Sequence, residues 1–139
     1  MSRDWDAWAR RVEKALDVAH RSDTDFQDLF APDATFIDPT QVAKTPELPE
    51  VSRATQAIFP DWTQEVTSIR GDDGFAAFEW IGRGTFAWKG KSTGRAIEME
   101  GVTLVWVDAD GLVTKWRDYF DMKGVEDQMR GEPTATHAE

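Results

Sequence analysis

Residues 62–121 constrain the fold most tightly, because they read as four consecutive strands joined by short turns. The stretches 62–70, 75–88, 96–107 and 112–121 alternate apolar and polar residues. The turns between them have the expected composition: Gly71-Asp72-Asp73-Gly74, residues 89–95, and Asp108-Ala109-Asp110-Gly111. The run VWVDADGLV is the clearest hairpin signal in the chain. Gly82 and Gly84 fall inside the longest stretch, where glycine marks a bulge or a sharp bend.

Helices are predicted ahead of this meander. Trp5, Trp8, Val12, Ala15, Leu16 and Ala19 recur at spacings of three and four, with Ser2 as a cap, and predict the first helix. A short second helix is expected over 24–30, with Phe26, Leu29 and Phe30 inward, and a third over 48–58 with Pro49 in its first turn. A strand over 34–38 and a proline-rich loop over 39–50 lie between them. A helical turn is expected near 124–130. The domain is taken as residues 1–128, followed by a disordered polar tail over 129–139. The fold class is α+β: three N-terminal helices on a curved antiparallel sheet, forming a cone with an internal pocket.

Composition removes several chemistries. The 139 residues hold no cysteine, which excludes thiolate catalysis, disulfides and Cys-based zinc sites, and with only His20 and His137 neither a His-rich metal site nor a His-based triad is expected. No metal site and no cofactor is expected. A net charge of −10 argues against nucleic acid or an anionic membrane as partner. No apolar run is long enough to cross a membrane and the N-terminus is too charged for a signal peptide, so a cytoplasmic protein is expected. Seven Trp and eight Phe against one Tyr supply either a core or the wall of an apolar pocket.

The segment from Phe30 to Pro39, FAPDATFIDP, resembles the start of the first strand in ketosteroid isomerases and SnoaL-like polyketide cyclases, within the nuclear transport factor 2-like cone. Phe59-Pro60-Asp61-Trp62 with Glu65 is similar to an FPD-x-x-x-E segment of SnoaL-like proteins. Gly101-Val102, Asp110-Gly111 and the run Trp116 to Asp121 resemble the closing strands of SnoaL-like proteins and limonene epoxide hydrolases. The resemblance implies the cone fold and a small hydrophobic substrate, with cyclisation, epoxide opening or isomerisation as the chemistry. The isomerase oxyanion-hole positions fall near Lys14 and Thr103, and the epoxide hydrolase Arg-x-Asp pair falls at Trp80 and Gly82, so neither constellation carries over. Polyether epoxide-opening cyclases imply a better match: Asp38 at the DP position and Glu65 in the FPD segment.

With no thiol and no usable His pair, carboxylates are left to move protons. An apolar pocket raises a carboxyl pKa, and two neighbouring carboxyls split their titrations into a base and an acid. Asp38 is the candidate base, with Glu65 and Asp118 as candidates for the acid. Each has a plainer reading: Asp38 as the cap of the turn at Pro39, Glu65 as a solvated strand residue, Asp118 as a hydrogen-bonded core acid. Parity places Trp116, Asp118 and Phe120 on the inner face of the last strand. Phe36, Phe78, Trp80, Met99, Thr103, Trp116 and Phe120 are the candidate substrate contacts. Glu79, Glu98 and Glu100 are expected to face outward, and Trp62, Trp88 and Trp106 to serve core or interface. Apolar residues Val102, Leu104 and Trp106 on the outer sheet face predict a homodimer. A binding module without catalysis, taking a hydrophobic ligand or a protein partner, is the alternative to an enzyme.

Overall fold

The computed structural model describes residues 3–131. The proposed cap Ser2 and residues 132–139 of the predicted tail lie outside the described residues. In chain order the elements are α1 (Trp5–Ala15), β1 (Phe30–Asp38), β2 (Gln41–Lys44), α2 (Leu48–Ile58), β3 (Thr63–Gly71), β4 (Phe75–Trp88), β5 (Lys91–Val107), β6 (Val113–Phe120) and α3 (Met122–Met129).

One six-stranded curved sheet runs β2-β1-β6-β5-β4-β3. Every pairing is antiparallel except β1 with β6, which is parallel. The expected purely antiparallel sheet is thus corrected at one seam, where β1 and β6, far apart in sequence, run side by side in the same direction. Register shifts at Val66/Ser68 and Thr85/Ala87 bend the long strands.

Two N-terminal expectations change. Residues 24–30 form turns and a short 3-10 segment at Gln27–Leu29 rather than a helix. Ser22 and Asp25 bond each other there, offering the backbone a local alternative to helix. The loop over 39–50 contains β2, which pairs with β1 from Thr35↔Lys44 to Asp38↔Gln41. Only α1 therefore precedes the sheet, and α2 lies centrally in the chain at its expected bounds. At the other end, α3 runs through Met129, the first residue of the expected tail. Gln128 pins that helix to β5, its side chain accepting from Glu98 N at 2.8 Å and donating to Glu98 O at 2.9 Å.

Alternation decides what each strand buries. Asp4 caps α1 by accepting from Ala7 N, and the helix lays Trp5, Trp8, Ala9, Val12 and Ala15 on the sheet. Trp8 meets Phe78 and Trp116 at ring centroid distances of 5.9 and 6.3 Å, and Phe26 meets Trp116 at 5.1 Å. This aromatic cluster fills the cone beneath α1. Beyond it, beneath α2 and α3, the interior is hollow.

Candidate active site

The hollow is a cavity of about 260 Å³. Its sheet-borne wall includes Phe36, Asp38, Gln64, Trp80, Met99, Trp116, Asp118 and Phe120. Its opposite, helix-borne wall includes Val51, Ser52 and Ile58 of α2 and Val125 of α3, with Leu16 and Arg21 from the segment that follows α1. Three charged residues line it among the described residues: Arg21, Asp38 and Asp118.

Glycines make room for the indole walls. A Cβ on Gly101 would stand 2.2 Å from the Trp80 ring, and one on Gly82 2.1 Å from the Trp62 ring. Each indole lies flat across the strand where no side chain rises, which is why the inner face of β4 and β5 interrupts its apolar series with glycine.

Asp118 sits where the filled core meets the hollow. On β5 and β6 Thr103 pairs with Asp118, and on β4 Phe78 pairs with Thr103. The parallel seam aligns Phe36 with Trp116 and Ile37 with Arg117. Continued by one residue, it brings Asp38 beside Asp118 on the neighbouring strand, on the same face. Asp118 Oδ1 accepts from Thr103 Oγ1 at 2.5 Å and from Trp116 Nε1 at 2.8 Å. Thr103 Oγ1 in turn accepts from Trp80 Nε1 at 2.9 Å.

The polarity of this chain is forced. An indole nitrogen only donates, so the Thr103 hydroxyl must accept from Trp80 and spend its own proton on Asp118. Oδ1 is therefore held as an acceptor by two donors, and Oδ2 is the oxygen left to carry a proton and to meet a cavity occupant. Loss of hydration pushes the Asp118 pKa up to about 7; the bonds from Thr103 and Trp116 pull against this, and the charge of Asp38 adds to the rise.

Asp38 lines the cavity within a tight turn. Its Oδ1 accepts from Thr40 N and Thr40 Oγ1, both at 2.7 Å, and its Oδ2 accepts from Gln41 Nε2 at 3.2 Å. The turn-cap and pocket readings of this residue hold together.

Glu65 is corrected. Its side chain is exposed on the outer face of β3, where Arg83 Nη1 reaches it at 3.4 Å and Arg83 Nε bonds Glu98 at 2.8 Å. Trp62, Gln64 and Val66 share the inner parity, so Glu65 must face away. Phe78 and Thr103 are corrected as direct contacts. Both are buried beneath the cavity floor, Phe78 under Trp8 and Thr103 under Asp118. Phe36, Trp80, Met99, Trp116 and Phe120 do line the cavity. Glu79, Glu98 and Glu100 are exposed.

The alternation Trp62-Gln64-Val66 carried the signal for two wall residues that were not anticipated. Trp62 lines the cavity and donates Nε1 to Gln64 Oε1 at 3.2 Å. That donor-only contact turns the Gln64 amide nitrogen toward other partners. Arg21 and Ser52 were also not anticipated, and nothing local in the sequence marks them. Among the described residues no group of three or more His, Asp or Glu side chains is arranged to hold a metal ion, and no helix is long and apolar enough to cross a membrane.

Fold and site together define a cone-shaped pocket protein with carboxyl groups on the pocket wall. The chain belongs to the SnoaL-like domain family, whose sequence profile matches residues 3–116. The cyclase aurE of Calcarisporium arbuscula is 40% identical over 55 residues, which are 37% of this chain and 38% of that protein, so the match spans well under half of that relative. Two solved structures share the fold. IdmH of Streptomyces antibioticus, a candidate polyketide cyclase, superposes with a TM-score of 0.75 at 23% identity, covering 92% of this chain and 99% of that one. An LEH-like epoxide hydrolase of M. tuberculosis gives 0.67 at 17% identity, covering 88% and 89%.

Proposed function

We propose that the chain is a cofactor-independent acid–base enzyme of the SnoaL-like family, acting on a small, largely apolar, oxygen-bearing molecule such as a polyketide. Cyclisation is the reading that the kinship with a cyclase favours. Asp118 moves the proton and Asp38 supplies the neighbouring charge. The observation that carries the reading is the one-sided anchoring of Asp118, a residue of the cavity wall: Oδ1 is occupied by Thr103 and Trp116, and Oδ2 makes no hydrogen bond among the described residues. A group with a pKa near 7 is equally ready to take and to give a proton at neutral pH.

In an aldol-type closure, Oδ2 of ionised Asp118 removes a proton from the carbon between two carbonyls. The resulting carbanion attacks a second carbonyl of the same molecule, forming the ring bond. The new alkoxide then takes the proton back from Oδ2. One carboxyl serves both halves, and no further reactant is consumed.

The test is incubation with a panel of poly-β-keto thioesters and hydroxy-epoxides, read by mass spectrometry and chromatography. Asp118→Asn preserves an acceptor at Oδ1 and removes the proton shuttle, so turnover should fall by roughly 10²–10⁴-fold. Full turnover by that variant refutes the role. Self-association through the outer face of β5 and β6 belongs to the same proposal. Val102 and Tyr119 pair there and are 37% and 47% exposed, and equilibrium sedimentation decides it.

A further inference from the structure

The helix-borne wall carries polar groups that the proton transfer does not use. Arg21 donates from Nη1 to Ala15 O at 2.9 Å and from Nη2 to Ser52 O at 3.2 Å. A guanidinium has five N–H donors, and these bonds occupy two. Ser52 is 3% exposed and lines the same cavity. Its Oγ is the one buried side-chain polar atom without a hydrogen-bond partner among the described residues. A buried hydroxyl left unmet costs stability, and a serine in a helix could ordinarily turn to the carbonyl one turn back. Arg21 holds the backbone carbonyl of Ser52, so the guanidinium and the residue that carries the orphan hydroxyl are joined on the wall of one cavity.

We propose that Arg21 and Ser52 form a subsite for a negatively charged oxygen of the substrate, an enolate or a carboxylate, held at the helix-borne wall while the proton is handled at the sheet-borne wall. The inference rests on the pocket reading above and adds the charge of the ligand to it. Arg21 is the only cation lining the cavity among the described residues. A chain of net charge −10 repels anions at long range, so an anionic group inside it needs a local cation. The surrounding wall of Leu16, Val51 and Ile58 is apolar, which strengthens a charge-assisted hydrogen bond. Ser52 contributes the O–H donor that currently has no acceptor. The rival role for Arg21 is a staple between the end of α1 and α2.

The experiment compares 2-naphthoate with its neutral methyl ester, titrated at pH 6 by tryptophan quenching and calorimetry. Wild type should bind naphthoate ~10-fold tighter than the ester or better, as one added charge-assisted contact gives. Arg21→Met should erase that preference, weakening naphthoate about 10-fold more than the ester. Ser52→Ala should weaken naphthoate roughly threefold while keeping or raising the melting temperature, since it deletes an unmet polar atom. Equal weakening of both ligands in Arg21→Met would make Arg21 a staple and overturn the subsite. If that variant does not fold, Ser52→Ala decides, and unchanged naphthoate affinity in it overturns the proposal. Ester binding without any preference in wild type sinks the subsite alone. Binding of neither ligand sinks the subsite and the pocket reading beneath it.

Discussion

Replacing Asp118 by Asn separates a half-buried acid with a raised pKa from an ordinary surface carboxylate through stability alone, with no substrate needed. Unfolded, an Asp ionises near its reference value of 3.8; folded, Asp118 holds its proton up to about 7. The folded pKa is raised, so below about pH 4 both states are protonated and the group is neutral in the balance. As pH rises from about 4 to about 7 the unfolded chain gives up the proton and the folded one does not. Stability therefore falls across that window and stays low above it. About three pKa units correspond to a loss of about 4 kcal/mol by linkage. Asn titrates nowhere, so wild type and Asp118→Asn should converge in stability changes at acid pH and diverge by up to that amount at pH 8.5. For a domain of this size the gap is on the order of 10 °C in melting temperature. Subtracting the variant cancels the general pH response of the other acids. Urea and thermal melts at pH 4, 6 and 8.5 measure it, and a difference that stays flat with pH refutes both the raised pKa and the proton shuttle.

Thr103→Val keeps the shape of the side chain but removes the donor to Asp118 and the acceptor of Trp80 Nε1. The Asp118 titration, followed by carboxyl carbon NMR, should move upward, and the orphaned indole should cost about 1–3 kcal/mol in denaturant unfolding. Gly101→Ala drives a methyl into the Trp80 ring and should cost about 1–3 kcal/mol while disturbing the same titration. Glu65→Gln lies outside the cavity, so turnover, pH profile and melting temperature should match wild type; a loss of turnover would return Glu65 to the site.

How much the sequence disclosed follows from the range of the interactions involved. Strand parity is local, so the inward set Trp116-Asp118-Phe120 and the outward Glu98 and Glu100 could be read directly. The same parity, applied to Trp62-Gln64-Val66, turns Glu65 outward, against the family resemblance that drew attention to it. The helix over 24–30 failed because propensity is a weak prior and the local Ser22–Asp25 bonds won. The β2 strand hid among prolines, since pairing with β1 is settled only once that strand is in place. Phe78 and Thr103 share the inner face with true wall residues, and only long-range packing, Trp8 against Phe78 and Trp80 and Asp118 against Thr103, decides that they are floor rather than wall. Arg21 and Ser52 meet across 31 positions in sequence, which no local pattern reports.

The unusual composition acquires a physical reason at this point. Seven tryptophans and one tyrosine is an odd way to line a pocket if apolar area is all that is wanted. Three of the indoles donate to polar groups in or beneath the cavity wall: Trp80 to Thr103, Trp116 to Asp118, Trp62 to Gln64. A tyrosine hydroxyl in any of these places could donate or accept, and the direction of the chain would be undetermined. An indole leaves no choice. Two indoles, one directly and one through the Thr103 hydroxyl, fix Oδ1 of Asp118 as an acceptor and so consign the labile proton to Oδ2. The aromatic cluster that closes the core thereby also sets which oxygen of Asp118 would carry the proton in the proposed reaction.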